Sequence, residues 1–191
     1  MNLILASGSP YRKELLARLR LPFAVQAPNV DESPWEEEPP SALARRLARA
    51  KAEAVAAGSP RSIVLGSDQV ATLDRKMPIG KPGNLENARR QLRAASGRTM
   101  YFHTAFALLS PDHPAIEHCV AVAVEFRTLD DAEIDRYLEL EQPLDCAGSA
   151  KCEGLGIALL RSIRTDDPTA LIGLPMILVA EALRQVGMSS L

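Results

Sequence analysis

The sequence predicts an α/β protein on a mixed β-sheet, and three observations carry that prediction. In the first half of the chain, apolar runs that read as strands alternate with amphipathic segments, an order that favours parallel strand pairing. Two long β-type runs at 98–110 and 116–127 are joined by a Pro-Asp-His-Pro stretch starting at Pro111, the mark of an antiparallel hairpin. Helix start and stop residues bracket several of the amphipathic segments.

Leu3-Ile4-Leu5-Ala6 is a short apolar run that reads as a buried strand over 2–6. Ser7-Gly8-Ser9 breaks it, and Ser9-Pro10 starts a helix over 10–19, with serine as N-cap and proline in the first turn. A strand that runs through small residues into a helix N-terminus presents free N–H groups and the positive end of the helix dipole to an anion, most often phosphate. Arg12 adds a fork of donors there. Many α/β proteins contain the same connection without an anion, so this stretch alone leaves both readings open. A strand over 22–27 follows, and the Pro- and Glu-rich piece from Ser33 to Pro40 is expected to be a mobile loop. Ser41 opens a helix over 41–57 that closes before Gly58. A strand over 62–67 comes next, then a helix over 84–95 that opens at Asn84 and ends before Gly97. After the hairpin come a helix over 130–140, a weaker strand over 157–163 and a helix over 175–186. No internal repeat and no low-complexity linker interrupts this order.

Bulk properties narrow the class. A length of 191 residues fits one domain, or two intimate lobes, with room for a real core. Hydrophobic content of 47% and charged content of 24% are ordinary for a globular protein. A net charge of −2 argues against a general nucleic-acid binder and leaves room for a local cationic cleft. Cys119, Cys146 and Cys152 are odd in number and form no C-x-x-C pair, which fits a reducing compartment and supplies no zinc framework. His103, His113 and His118 lack metal-ligand spacing and read as surface or strand residues. No apolar run approaches the ~20 residues of a membrane span, and the N-terminus lacks the marks of a signal peptide. A cytoplasmic protein with neither a membrane nor a nucleic-acid polymer as partner is expected. The absence of G-x-G-x-x-G and of G-x-x-x-x-G-K-[ST] speaks against a dehydrogenase and a P-loop NTPase.

Four charged residues stand out. At 100° per residue from Leu43, Leu47, Ala50 and Ala54 fall within roughly 40° and Lys51 at about 80°. Arg45, Arg46, Arg49 and Glu53 occupy the opposite arc. Lys51 therefore sits at the edge of the apolar stripe, either snorkelling with its stem on the core or aimed into a cleft. Asp68, in Gly66-Ser67-Asp68-Gln69, follows a strand that needs no charge. Ligands of open α/β sheets collect at carboxyl ends of strands, where a carboxylate holds Mg²⁺ or orients water; it also simply caps turns. Lys81, between Gly80 and Pro82, is a lone cation in a rigid turn, either a surface lysine or, beside Arg12 and Lys51, a third positive group for a polyphosphate. Glu32, in Asp31-Glu32, reads on its own as a solvated loop acid.

The N-terminal Ala6-Ser7-Gly8-Ser9-Pro10-Tyr11-Arg12, the Gly66–Val70 run, Ile79-Gly80-Lys81-Pro82, Asp145–Gly154 and Asp167–Pro175 together resemble the Maf family of nucleoside triphosphate pyrophosphatases, in the right order and over essentially the whole chain. The Gly-Ser-Asp-Gln and Cys-Glu-Gly forms resemble the family's 7-methyl-GTP pyrophosphatase branch. The resemblance implies a single domain over 1–191, related to inosine triphosphatase folds, with an elongated mixed sheet flanked by helices and two lobes around a cleft. It implies hydrolysis of a nucleoside triphosphate, preferably 7-methyl-GTP, to monophosphate and pyrophosphate. Asp68 is then the general base. Ser7, Ser9, Arg12, Glu32, Lys51 and Lys81 bind substrate, and Asp68 with Glu32 holds a divalent cation, Mg²⁺ or Mn²⁺, which needs only one or two carboxylates. Tyr11, Gln69 and Glu153 select the base; an amide such as Gln69 both donates and accepts. Without the resemblance Tyr11 reads as helix packing and Glu153 as a loop acid. The rival readings are a dTTP/UTP pyrophosphatase of the other branch and a non-catalytic nucleotide-binding regulator. A homodimer is left open.

Overall fold

The computed structural model describes residues 2–189 and 191. β1 (Leu3–Ala6) is buried along its whole length, as an unbroken apolar run requires of a strand covered on both faces. It lies between β2 (Phe23–Val25) and β3 (Ile63–Thr72), parallel to both. β3 is where the sheet changes character. On its other side it pairs antiparallel with β4 (Thr99–Ser110), which pairs with β5 (His113–Phe126) and then β6 (Leu160–Arg164). The six-stranded order is β2-β1-β3-β4-β5-β6.

The helices are α1 (Pro10–Ala17), α2 (Pro40–Ala56), α3 (Leu85–Ala95), α4 (Asp131–Glu141) and α5 (Met176–Gln185). Strand periodicity sorts them onto faces. Leu3, Leu5, Ile63 and Leu65 pack with Leu15 and Leu16 of α1 and with Val179 and Leu183 of α5. Ile4, Ala6 and Val64 point the other way, onto Ala52 and Val55 of α2. A second core gathers Met100, Phe102, Val122 and Val124 against Leu92 of α3 and Ile134 and Leu138 of α4. The two cores occupy opposite ends of the long antiparallel strands, which gives the expected two lobes.

Local signals explain most boundaries. The Ser9 hydroxyl accepts from the Arg12 N–H at 3.4 Å, and Asn84 caps α3 through the Asn87 N–H at 2.8 Å. Asp130 and Glu133 form a reciprocal capping box on α4. Three expectations need correction. α2 begins at Pro40 with Pro39 as its cap and no side-chain cap bond, one residue before Ser41. The weak strand starts at Leu160, because 155–159 coils into a 3₁₀ turn. β3 does not end before Asp68: its parallel pairing stops at Ala6–Gly66, but its antiparallel ladder with β4 runs on to Thr72–Tyr101. No helix among the described residues is long and apolar enough to cross a membrane.

Candidate active site

The site starts from a glycine. A Cβ on Gly66 would lie 2.3 Å from the Ala48 carbonyl oxygen and 2.6 Å from the Ala52 nitrogen. Only glycine lets the backbone of α2 rest this closely on β3. Ala44, Ala48 and Ala52 form the small-residue side of the buried helix face, and Lys51 lies on that same face. Lys51 is therefore central to the buried stripe, not at its edge. Its ammonium does not snorkel to water; Nζ is 2.6 Å from Asp68 Oδ1 and 2.7 Å from Glu32 Oε1. Lys51 and Asp68 are each only 6% exposed, a depth at which a charge must be paired.

Mid-strand, Asp68 and its polar neighbours are each satisfied by groups far along the chain. Ser67 Oγ contacts the Ala105 and Gly173 carbonyl oxygens at 2.8 and 3.1 Å. Gln69 Nε2 donates toward Thr104 Oγ1, the Ala170 carbonyl and the Leu171 carbonyl at 2.9, 2.9 and 3.0 Å. Its amide donors are thus engaged by the protein. Burial pushes the Asp68 carboxyl above its ordinary pKa, against the pull of the Lys51 ammonium and the Arg12 guanidinium. A carboxylate tuned upward but held beside two cations is suited to accepting a proton.

Arg12 reaches the same place from α1. Its Nε donates to the Gly173 carbonyl at 2.9 Å and its Nη1 to Ser7 Oγ at 3.5 Å. Ser7 Oγ also accepts from the Ser9 N–H at 3.1 Å, which folds the 7–9 loop onto the helix start. Burial lowers the Arg12 pKa while Asp68 and Glu32 raise it, and a guanidinium stays protonated in either case. Lys81 is held by its turn: Gln91 and Asn87 of α3 donate to the Gly80 and Pro82 carbonyls at 3.0 and 2.9 Å.

One cavity of about 860 Å³ between the two cores is lined by Ser7, Ser9, Tyr11, Arg12, Glu32, Lys51, Asp68, Gln69, Lys81 and Glu153, together with others. This volume is within the usual range of small-molecule sites. Its charges are unevenly spread. Arg12 and Lys51 stand by Asp68, whereas Tyr11 Oη donates to Asp145 Oδ2 at 3.2 Å, beside Cys146. Burial, with Cys146 and Asp145 adding to it, pushes the Tyr11 phenol up to about 12. In sequence Asp145 stands out only within the Asp145–Gly154 motif; its partner is 134 residues away, so no local signal marks it by itself. Gly173 was likewise unmarked: its φ of +128° is one that side chains rarely adopt, and its carbonyl holds both Ser67 and Arg12.

Among the described residues no group of three or more His, Cys, Asp or Glu side chains could hold a metal ion. Asp68 and Glu32 do converge, each lending one oxygen to Lys51. Two hard carboxylate donors on a cavity fit the Mg²⁺ habit of taking one or two carboxylates and completing its shell with water and phosphate oxygens.

The Maf-like protein family model matches residues 2–186. A 7-methyl-GTP pyrophosphatase of Bordetella pertussis is 57% identical over 190 residues, covering 100% of this chain and 94% of that protein. Another, from Polaromonas, is 54% identical, covering 98% of this chain and 85% of that protein. Among solved structures, a nucleoside-triphosphatase / dITP/XTP pyrophosphatase from Mycobacterium abscessus is 16% identical with a TM-score of 0.50, over 98% of this chain and 95% of that one, a likeness of fold. The family match over nearly the full length, the relatives above half identity and a cavity that collects the scattered motifs lead to one conclusion: this chain belongs to the Maf family.

Proposed function

We propose that the protein hydrolyses a nucleoside triphosphate, preferably 7-methyl-GTP, to the monophosphate and pyrophosphate. The observation that carries this reading is the buried Lys51–Asp68 pair at 2.6 Å, facing a cavity that Arg12, Lys81, Ser7 and Ser9 also line. Phosphoryl transfer asks mainly for positioning and for compensation of charge on the transferring oxygens. Arg12, Lys51 and Lys81 supply positive charge, and the 7–9 loop at the start of α1 supplies backbone donors. Asp68 takes the proton of the attacking water; burial raises its pKa and so makes it a stronger base than a free carboxylate, while the Lys51 and Arg12 charges pull the other way. Asp68 and Glu32 would hold Mg²⁺ or Mn²⁺, which when bound neutralises phosphate charge.

Substrate choice rests on the other end of the cavity. Methylation at N7 gives guanine a delocalised positive charge. The Tyr11 ring attracts such a cation by about 0.5–2 kcal/mol, depending on desolvation. Asp145 and Glu153 add negative charge there, against the Lys151 ammonium, which stands 5.7 Å from the Tyr11 ring centroid and is paired with Glu141; the relatives named 7-methyl-GTP pyrophosphatase favour the same base. The reading includes a cytoplasmic setting and free nucleotides, not polymers, as substrates.

The test is a panel of 7-methyl-GTP, GTP, dTTP and UTP with Mg²⁺, products identified by mass. The highest kcat/KM is expected for 7-methyl-GTP. A preference for dTTP or UTP would move the protein to the other branch. Binding without turnover would make it a regulator.

A further inference from the structure

Glu32 reaches Lys51 from a segment without regular secondary structure, between β2 and α2. The Glu32 side chain is 60% exposed, and an ion pair with one partner so wet holds weakly by itself. What fixes the segment is Arg46 of α2. Its Nε donates to Glu38 Oε1 at 2.7 Å and its Nη2 to Glu38 Oε2 at 2.8 Å. The same Nη2 donates to the Ser33 carbonyl at 2.9 Å, next to Glu32. The guanidinium carbon also stands 4.1 Å from the ring centroid of Trp35. Glu38 closes the loop by accepting from the Trp35 N–H at 3.1 Å, and Asp31 accepts from the Ser33 N–H at 2.9 Å. Residues 33–38 are thus gathered on one guanidinium, and Arg46 and Glu38 are not among the residues that line the cavity.

We propose that Arg46 is a positioning residue: by clamping 33–38 to α2 it sets Glu32 against Lys51. This inference rests on the reading that Glu32 serves the site. The clamp and its target share one helix, since Arg46 and Lys51 both belong to α2. The geometry of the loop is therefore referred to the same rigid body that carries the lysine. Arginine is needed because its planar fork makes two bonds to one carboxylate while still reaching a carbonyl and an aromatic face.

A double-mutant cycle decides it: kcat/KM on 7-methyl-GTP for the wild type, Arg46→Gln, Glu32→Gln and the double variant, with the Tm of each. Trp35 is the only tryptophan in the chain, so its emission reports the clamp directly. Arg46→Gln is expected to lower kcat/KM roughly 10–100-fold, the usual effect of losing a supporting partner, and to shift the Trp35 emission. In the Glu32→Gln background the same substitution is expected to change kcat/KM by less than about twofold. Arg46→Lys should recover only part of the loss, having no fork. Equal factors in both backgrounds would overturn the inference and leave Arg46 a general support of the fold. So would Arg46→Gln at full activity, or an inert Glu32→Gln in an otherwise active enzyme. A wild type that turns over no nucleoside triphosphate would instead defeat the proposed function itself, and this inference with it.

Discussion

Replacing Lys51 with methionine removes the charge and keeps an unbranched side chain of similar length. The Lys51 side chain is 8% exposed and its Asp68 partner 9%, at 2.6 Å, so this arm counts as a buried pair. Breaking such a pair from one side costs about 3–5 kcal/mol. The Glu32 arm, with its partner 60% exposed, adds less than ~1 kcal/mol. The cost should depend on pH in a definite direction. Lys51 holds the Asp68 pKa down through its charge and its hydrogen bond, so the variant raises it further above the unfolded value. A carboxyl that binds its proton more tightly when folded destabilises the fold above its folded pKa, and that penalty fades as pH falls toward the unfolded pKa of about 3.9. The stability gap between wild type and variant should therefore be widest near neutrality and narrow on acidification, as read by urea denaturation at a series of pH values. kcat/KM should fall by roughly 10²–10³, as for other lost charge-stabilising donors. Arg49→Met, on the exposed side of the same helix, is the control. A gap that stays constant or widens in acid, or an activity loss no larger than that of the control, would refute this account of Lys51.

Other perturbations probe other parts. Asp68→Asn should cut kcat by about 10²–10⁴ while nucleotide affinity is retained, and the acid limb of the wild-type kcat/KM profile should lie above the ordinary carboxylate range near 4. Gly66→Ala should cost about 1–3 kcal/mol through overpacking of α2 on β3. It should also lower kcat/KM more than Val122→Ala, a substitution in the second core, at matched loss of stability. Glu153→Gln should lower the ratio of kcat/KM for 7-methyl-GTP over GTP; equal losses on both substrates would assign Glu153 to the fold or the chemistry rather than to base choice.

Much of the fold was legible because its signals are local. Ser9-Pro10, Asn84 and the 130–133 box are short-range capping chemistry, and the strands of the hairpin are long enough to be read from composition. The site was legible only in part. Ser67-Asp68-Gln69 looks like the end of a strand because three polar residues interrupt an apolar run, yet each finds its partner in α2, in β4 or in the 170–173 turn. In sequence Lys51 reads as peripheral because Ala50 and Ala54 share the arc of Leu43, yet Ala50 is only half-buried and Ala54 is exposed. The buried face instead includes Ala44, Ala48 and Ala52, of which Ala48 and Ala52 lie against Gly66. That pairing of small residues with a strand glycine was the available signal. The Tyr11–Asp145 bond and the Arg46 clamp depend on tertiary contacts that no spacing shows.

The central proposal is hydrolysis to the monophosphate and pyrophosphate in this cavity, and we place the attack of water at the α-phosphorus. Hydrolysis of 7-methyl-GTP in H₂¹⁸O, with both products resolved by mass, tests it most directly. The expected result is pyrophosphate without label and 7-methyl-GMP carrying one ¹⁸O. Label in pyrophosphate would move the attack to the β-phosphorus, and release of 7-methyl-GDP with orthophosphate would contradict the account outright.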